Sequence, residues 1–300
     1  MHGHLRKCGL FAPLFLLIAC LSACGGGVQN YTKQVDVKVD DSPSAATVSQ
    51  KRWYLENDHA RLGLIDDPGG AIVEYVNKAT GTDHVAGRVC KTEVDGKVAK
   101  QVGWGWINTI YDNATDPIEK QMQYQPFIVE NFDLTNGVRG IKVVGQTAEQ
   151  RIERWHSLSP GSAEVVIRIR LTNISDKPRR LWIRWHPYLF ASADVDGKSG
   201  CVFSPGADDE VRKIRIGWGW DHWFRTHDGF WLAADTGTGE GLFTTFEKEK
   251  VPIHFTWTQY TSKKPGRGAL TMEPFPEPIL AEPGQSIESS FSYCPFTAET

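Results

Sequence analysis

The sequence has no basic excess: 33 Lys and Arg stand against 36 Asp and Glu, a formal charge of -3 over 300 residues. A nucleic-acid binder neutralises phosphates with clustered Lys and Arg, so nucleic acid is not an expected partner. Cysteine is scarce, at 6 residues, and zinc spacing of the Cys-x-x-Cys type does not occur. That argues against both a metal ribbon and a disulfide scaffold, and no metal site is expected. Amphipathic patterns of helical period longer than about ten residues are missing, as are alternating β and α units, which speaks against a doubly wound fold. Asp194-Val-Asp196-Gly197 lacks the distal Glu of a calcium loop. Gly237, Gly239 and Gly241 read as a turn between strands, not as a phosphate cradle. No Ser–His–Asp nucleophile context is visible. What is there, 40% hydrophobic and 23% charged residues, suffices for a sizeable core and excludes wholesale disorder.

The one long uncharged apolar stretch is Leu10 to Leu21, preceded by Arg6 and Lys7. It is shorter than the ~20 residues of a spanning helix and has the layout of an export signal. It ends in Leu21-Ser22-Ala23-Cys24, followed by Gly25-Gly26-Gly27. This resembles a bacterial lipobox, which implies a signal peptide over 1–23 and a diacylglycerol thioether on Cys24. Leu17-Ile18-Ala19-Cys20 also fits the pattern; Cys24 is preferred because a Gly run and a polar stretch follow it. The expected location is the bacterial cell envelope, lipid-anchored, at the outer membrane facing the periplasm. The three further cysteines, Cys90, Cys201 and Cys294, allow at most one disulfide among themselves. Residues 24–50 are polar and Gly/Ser-rich and read as the lipidated cysteine with a flexible tether.

Residues 51–300 have the texture of a single all-β domain. Short runs rich in Val, Ile, Thr and aromatics are punctuated by Gly, Pro, Asn and Asp. They are Ala71–Val76, Phe127–Leu134, Gly140–Gln146, Ala163–Thr172, Arg180–Trp185, Phe230–Ala234, Gly241–Phe246, His254–Gln259 and Ser286–Tyr293. The expected architecture is a large antiparallel β-sandwich. In Ala163–Thr172, Val165, Ile167, Ile169 and Leu171 alternate with Val166, Arg168, Arg170 and Thr172, one set for a core and one for a polar face. The next strand puts Leu181, Ile183 and Trp185 on one face and Trp182, Arg184 and His186 on the other.

Several segments together resemble the galactose mutarotase-like superfamily, which includes the aldose 1-epimerases. They are Asp66-Asp-Pro-Gly-Gly-Ala-Ile-Val73, Gln150-Arg-Ile-Glu-Arg-Trp-His-Ser-Leu-Ser-Pro-Gly161 and Leu171-Thr-Asn-Ile-Ser-Asp-Lys-Pro178. His186-Pro-Tyr-Leu-Phe190, Gly219-Trp-Asp-His-Trp-Phe224 and Met272-Glu-Pro-Phe-Pro-Glu-Pro-Ile-Leu-Ala-Glu-Pro-Gly-Gln285 follow in order. The resemblance implies a β-supersandwich and a carbohydrate ligand. In epimerases a base takes the proton of the anomeric hydroxyl and an acid protonates the ring oxygen, so the ring opens, C1 rotates, and the steps reverse. A carboxylate and an imidazole suffice, without metal, nucleotide or other cofactor. By resemblance Glu273 is the base, His186 the acid, and Asp221, with His222 beside it, holds sugar hydroxyls. The family's Leu-His-Gly-Gly and Asn-Arg-Ile segments do not occur between residues 77 and 150, and His84 does not fit the first. An epimerase, a non-catalytic sugar-binding module and an envelope assembly protein therefore all stay open.

Tryptophan adds to this reading. Gly-Trp-Gly-Trp occurs at 103–106 and again at 217–220. Trp104, Trp106, Trp220 and Trp182 are either core or cleft residues; a Trp face stacks on the C–H face of a pyranose, and flanking Gly lets a ligand approach. Arg184, with Arg168 and Arg170, either binds the carboxylate of an acidic sugar or coats a polar face.

Overall fold

The computed structural model describes residues 26–297, apart from 39–43, 45, 86–89, 95–96, 103–107, 110–121, 184, 187, 190–199, 207–209, 216–220, 226–228, 236–237, 248 and 261–267. The expectations for the signal segment, Cys20, Cys24, Trp104, Trp106, Trp220 and Arg184 concern residues outside these.

The described chain is built of strands. In order they are β1 (Gln29–Lys38), β2 (Thr47–Glu56), β3 (Ala60–Leu64), β4 (Ile72–Asn77), β5 (Cys90–Val94), β6 (Lys97–Val102), β7 (Asn108–Thr109) and β8 (Ile128–Asp133). Next come β9 (Arg139–Gln146), β10 (Gln150–Leu158), β11 (Val165–Asn173), β12 (Arg179–Leu181), β13 (Trp185–His186), β14 (Tyr188–Leu189), β15 (Gly200–Pro205) and β16 (Val211–Arg215). The last are β17 (Asp221–Arg225), β18 (Phe230–Asp235), β19 (Glu240–Phe246), β20 (Ile253–Tyr260), β21 (Gly268–Phe275), β22 (Ile279–Ala281) and β23 (Ser286–Thr297). Among the described residues the only helical pieces are short 3-10 turns, such as Met122–Tyr124.

A nine-stranded sheet in the order β16-β15-β18-β19-β23-β11-β10-β9-β8 forms the frame. Its central ladder is antiparallel, with Ile167 opposite Phe291 on one side and opposite His156 on the other. Period-two alternation gives the layering: Val165, Ile167, Ile169 and Leu171 are all but fully buried, while Val166 and Arg168 face out. They meet Leu55, Leu62, Leu64, Ile72 and Tyr75 from the four-stranded meander β1-β2-β3-β4, so one continuous core joins the two sheets. Each such side chain contributes about 1.5–3 kcal/mol by leaving water. The Tyr75 hydroxyl lies between the carbonyls of Ala163 (2.7 Å) and Tyr293 (2.8 Å), tying the meander to the large sheet.

Two expectations need correction. The segment expected to be a tether forms β1 and the start of β2, paired without a break from Gln29–Glu56 to Lys38–Thr47. Val28 and Val37 are buried and Tyr31 stacks on Tyr54 at 5.0 Å. Few of this hairpin's side chains are buried, although Val35, Val37 and Val39 alternate with Asp36 and Lys38 in the sequence; the ladder and the Tyr pair hold it. The strand expected over Arg180–Trp185 is interrupted: β12 stops at Leu181 and pairing resumes at Trp185. Alternation survives the break, because Leu181, Ile183 and Trp185 are fully buried while Trp182 is half-buried.

Candidate functional site

The second sheet of interest has the order β14-β21-β20-β17. Its register brings distant parts of the sequence into rows. Trp223 is opposite Phe255, which is opposite Glu273. Asp221 is opposite Trp257, then Thr271, then Tyr188. Alternation therefore sets Asp221, Trp223, Glu273 and Phe275 on one face, and His222 at a position of the opposite face. β14 pairs with β21 at Tyr188–Thr271 and Leu189–Leu270, while β13, which carries His186, pairs with β7 and runs beside β21. Glu273 and Asp221 thus share one face of the sheet, with His186 in a strand beside it; His222 does not share that face.

Glu273 is completely buried. Burial pushes the Tyr293 hydroxyl well above the usual tyrosine range; the Trp185 indole N–H, which donates to that hydroxyl, opposes this, and the nearby Glu273 adds to it. Trp185 also stacks on Phe291 at 5.9 Å and on Tyr293 at 6.4 Å. The carboxylate thus lies within electrostatic reach of Tyr293. Two residues along β21, Phe275 is flanked by Trp182 at 5.3 Å and by Trp223 at 5.2 Å, three rings in a tilted series. Among the described residues no cluster of three or more His, Cys, Asp or Glu is arranged to hold a metal ion.

Arg168 and Arg170 stand elsewhere. They project from the outer face of β11, both bound to Glu288 at 2.6 Å, with their guanidiniums over Trp155. They form part of a charged coat on the large sheet and are not shared with the Glu273 region.

The sequence reading missed one buried polar pair. Gln150, Ile152, Arg154, His156 and Leu158 are the inward positions of β10, and all are buried. The Arg154 guanidinium donates to the carbonyls of Gly69 and Gly70, 2.5 Å each, and lies 5.1 Å from the Phe127 ring. Burial pushes it down to about 9. His156 Nδ1 is 3.2 Å from the Ile141 carbonyl, and burial, aided by Arg154, pushes the ring down to about 3. The parity with Ile152 and Leu158 was the available signal. Arg154 clamps the 66–70 loop to the core, and His156 is tied to β9; that loop belongs to the segment that resembled the start of the sandwich.

No protein-family model matches the chain, and no curated protein does either. Solved structures do. A TPR-domain containing protein from Parabacteroides distasonis superposes with a TM-score of 0.64 at 11% identity, over 92% of this chain and 56% of that one. This chain therefore spans little more than half of that protein. A galactose mutarotase-like protein from Clostridium acetobutylicum superposes with a TM-score of 0.55 at 9% identity, over 89% and 99% of the two chains. Another, from Lactobacillus casei, gives 0.54 at 12% identity, over 82% and 100%. The chain has the galactose mutarotase-like sandwich fold. Identities this low speak for the fold alone, so the chemistry of the site must be argued from its own residues.

Proposed function

We propose that the protein recognises a carbohydrate on the β14-β21-β20-β17 sheet, with Glu273 at the base of the site and Trp182 and Phe275 as its aromatic wall. The observation that carries this reading is a buried carboxylate on the same strand as Phe275, whose ring packs between Trp223 of the same sheet and Trp182 beside it. An apolar ring face complements the C–H face of a pyranose, and a carboxylate accepts hydrogen bonds from its hydroxyls. The same carboxylate, with the imidazole of His186 in the adjoining strand, is the acid/base pair that anomer interconversion requires. Asp221, in the row next to Glu273, supplies further hydroxyl contacts. On this reading the domain is carried on a lipidated Cys24 at the envelope, and mass analysis of the mature N-terminus tests that part.

Ligand-observed NMR on the chain with a panel of neutral and acidic monosaccharides tests the site. Saturation transfer to a sugar, lost in Glu273→Gln and weakened in Trp182→Ala, is the expected result. Accelerated anomer exchange in the same samples would make the protein an epimerase. Transfer without exchange would make it a binding module. No transfer to any sugar contradicts the proposal.

A further inference from the structure

The sandwich is folded almost up to the cysteine expected to carry lipid. The Gly26 N–H donates to the Asp58 carboxylate at 2.7 Å, and Val28 is buried in the core. Pairing of β1 with β2 begins at Gln29, opposite Glu56. Cys24 stands two residues before Gly26. Two residues span at most about 7 Å, whatever course they follow. A long Gly/Ser linker lets a domain swing free of its anchor; a reach this short does not.

The contacts of Gly26 lead to one end of the molecule. Asp58 belongs to the 57–59 turn between β2 and β3. Lys78, just after β4, donates its backbone N–H to the His59 carbonyl at 2.9 Å. The Asn57 side-chain amide donates to the carbonyls of Ser159 at 2.6 Å and Ser162 at 2.7 Å, in the turn between β10 and β11. Pro160 of that turn lies against Gly137, in the turn between β8 and β9, where Leu134 is 56% exposed. These turns and the start of β1 thus gather at one end of the two sheets. The 174–178 and 282–285 turns, joined through Asn173, lie at the other end of β11. That strand has 9 residues, so the two ends are about 30 Å apart. The Gly26 end carries charges of both signs: Asp58 and Asp133 beside Lys78 and Arg139. Attraction to an anionic surface is not what would turn this end toward a bilayer; the short reach from Cys24 is.

We propose that the Gly26 end of the sandwich is a membrane-docking surface, held against phospholipid headgroups by the lipid on Cys24, with Leu134 as an apolar contact. This rests on the lipid-anchor reading and goes beyond it, because it fixes an orientation. The domain stands on the bilayer, with the 174–178 and 282–285 turns pointing away.

The test is hydrogen exchange on the lipidated chain in vesicles of phosphatidylethanolamine and phosphatidylglycerol. The comparison is a variant with about fifteen Gly/Ser residues inserted between Gly25 and Gly26, which extends the mean reach to about 20 Å. Amides of the 57–59, 134–138 and 159–162 turns should exchange several-fold more slowly in the parent than in the variant. The 174–178 and 282–285 turns should exchange alike in both, which also shows that the insertion leaves the fold intact. High salt should not remove the difference, since charge does not make the contact. Mass analysis of the N-terminus accompanies the measurement. Lipid on Cys24 with equal exchange in parent and variant overturns the docking surface and leaves the anchor standing. Slowing at the 174–178 turn overturns it too, as does lipid on Cys20, from which the reach to Gly26 is already about 20 Å. An N-terminus without lipid removes both the surface and the reading beneath it.

Discussion

Acid should weaken this fold well before its carboxylates protonate. His84 is almost fully buried, and burial, only partly opposed by the nearby Glu240, pushes it down to about 4. His156 is pushed down to about 3. In the unfolded chain both take up a proton near pH 6.5. Below that pH the unfolded state therefore binds two protons that the folded state refuses, and stability falls as the pH falls. The slope is about 1.4 kcal/mol per pH unit per histidine. At pH 5 each histidine has cost about 2 kcal/mol and the pair about 4 kcal/mol, a large part of the ~5–15 kcal/mol that holds a domain together. Other groups enter later or oppose the trend. Glu288 is held down by Arg168 and Arg170, and Glu153 by Lys142, Arg151 and Arg170 despite its burial; their contributions are lost only as the pH falls through 4.5. Asp83 is pushed up by burial, so protonating it relieves a penalty and offsets part of the loss. Urea midpoints at pH 7, 6 and 5, with a constant m-value, read the effect. The midpoint should drop steadily, by about half as much in His84→Gln or His156→Gln as in the parent, and little in the double variant. A midpoint unchanged between pH 7 and pH 5, or a full drop in the double variant, refutes the reasoning.

Three further substitutions probe the packing. Arg154→Ala strips the Gly69 and Gly70 carbonyls of their donor inside the core and leaves a void, so urea unfolding should register a loss of about 3 kcal/mol or more. Gly145→Ala sets a Cβ 2.2 Å from the buried Phe127 ring, which is wedged against Gly70 and Arg154. Gly140→Ala sets one 2.0 Å from the half-exposed Phe132 ring, which is free to swing outward. Thermal unfolding should therefore show the Gly145 variant losing about 2–3 kcal/mol and the Gly140 variant clearly less, although its nominal clash is closer. Tyr75→Phe removes the hydroxyl between the Ala163 and Tyr293 carbonyls, and a loss of about 1–2 kcal/mol is expected in the same assay.

Strand parity was legible where hydrophobic residue types fill the buried face of a strand. Ala163–Thr172 wrote its alternation in Val, Ile and Leu against Arg and Thr, and β11 follows it residue by residue. Phe127–Leu134, Gly140–Gln146, Gly241–Phe246 and Ser286–Tyr293 likewise fall on strands. The β1–β2 hairpin was missed although Val35, Val37 and Val39 alternate with Asp36 and Lys38; few of its side chains are buried, and the polar stretches on either side of that short run outweighed it. Arg154 and His156 were hidden for the reverse reason: polar residue types at core parity look like a solvated face until the neighbouring strands are known. At the site, the family resemblance named Glu273, His186 and Asp221, but only pairing across three strands puts Trp223 in a row with Glu273. His222 illustrates the limit of adjacency in sequence, since neighbours along a strand belong to opposite faces.

The central claim, that a sugar is held on the Glu273 sheet, is tested most directly by following the indole N–H signals of the eleven tryptophans during titration with the sugar that binds best. Trp182 and Trp223, the rings flanking Phe275, should shift and saturate together. Trp155, covered by its own cations on the outer sheet, and Trp53, capped by Lys51 at 4.4 Å, should stay fixed. In Glu273→Gln the saturating shifts should vanish. Saturable shifts at Trp155 with Trp182 and Trp223 unmoved would contradict the account and relocate the ligand to the outer face of the large sheet.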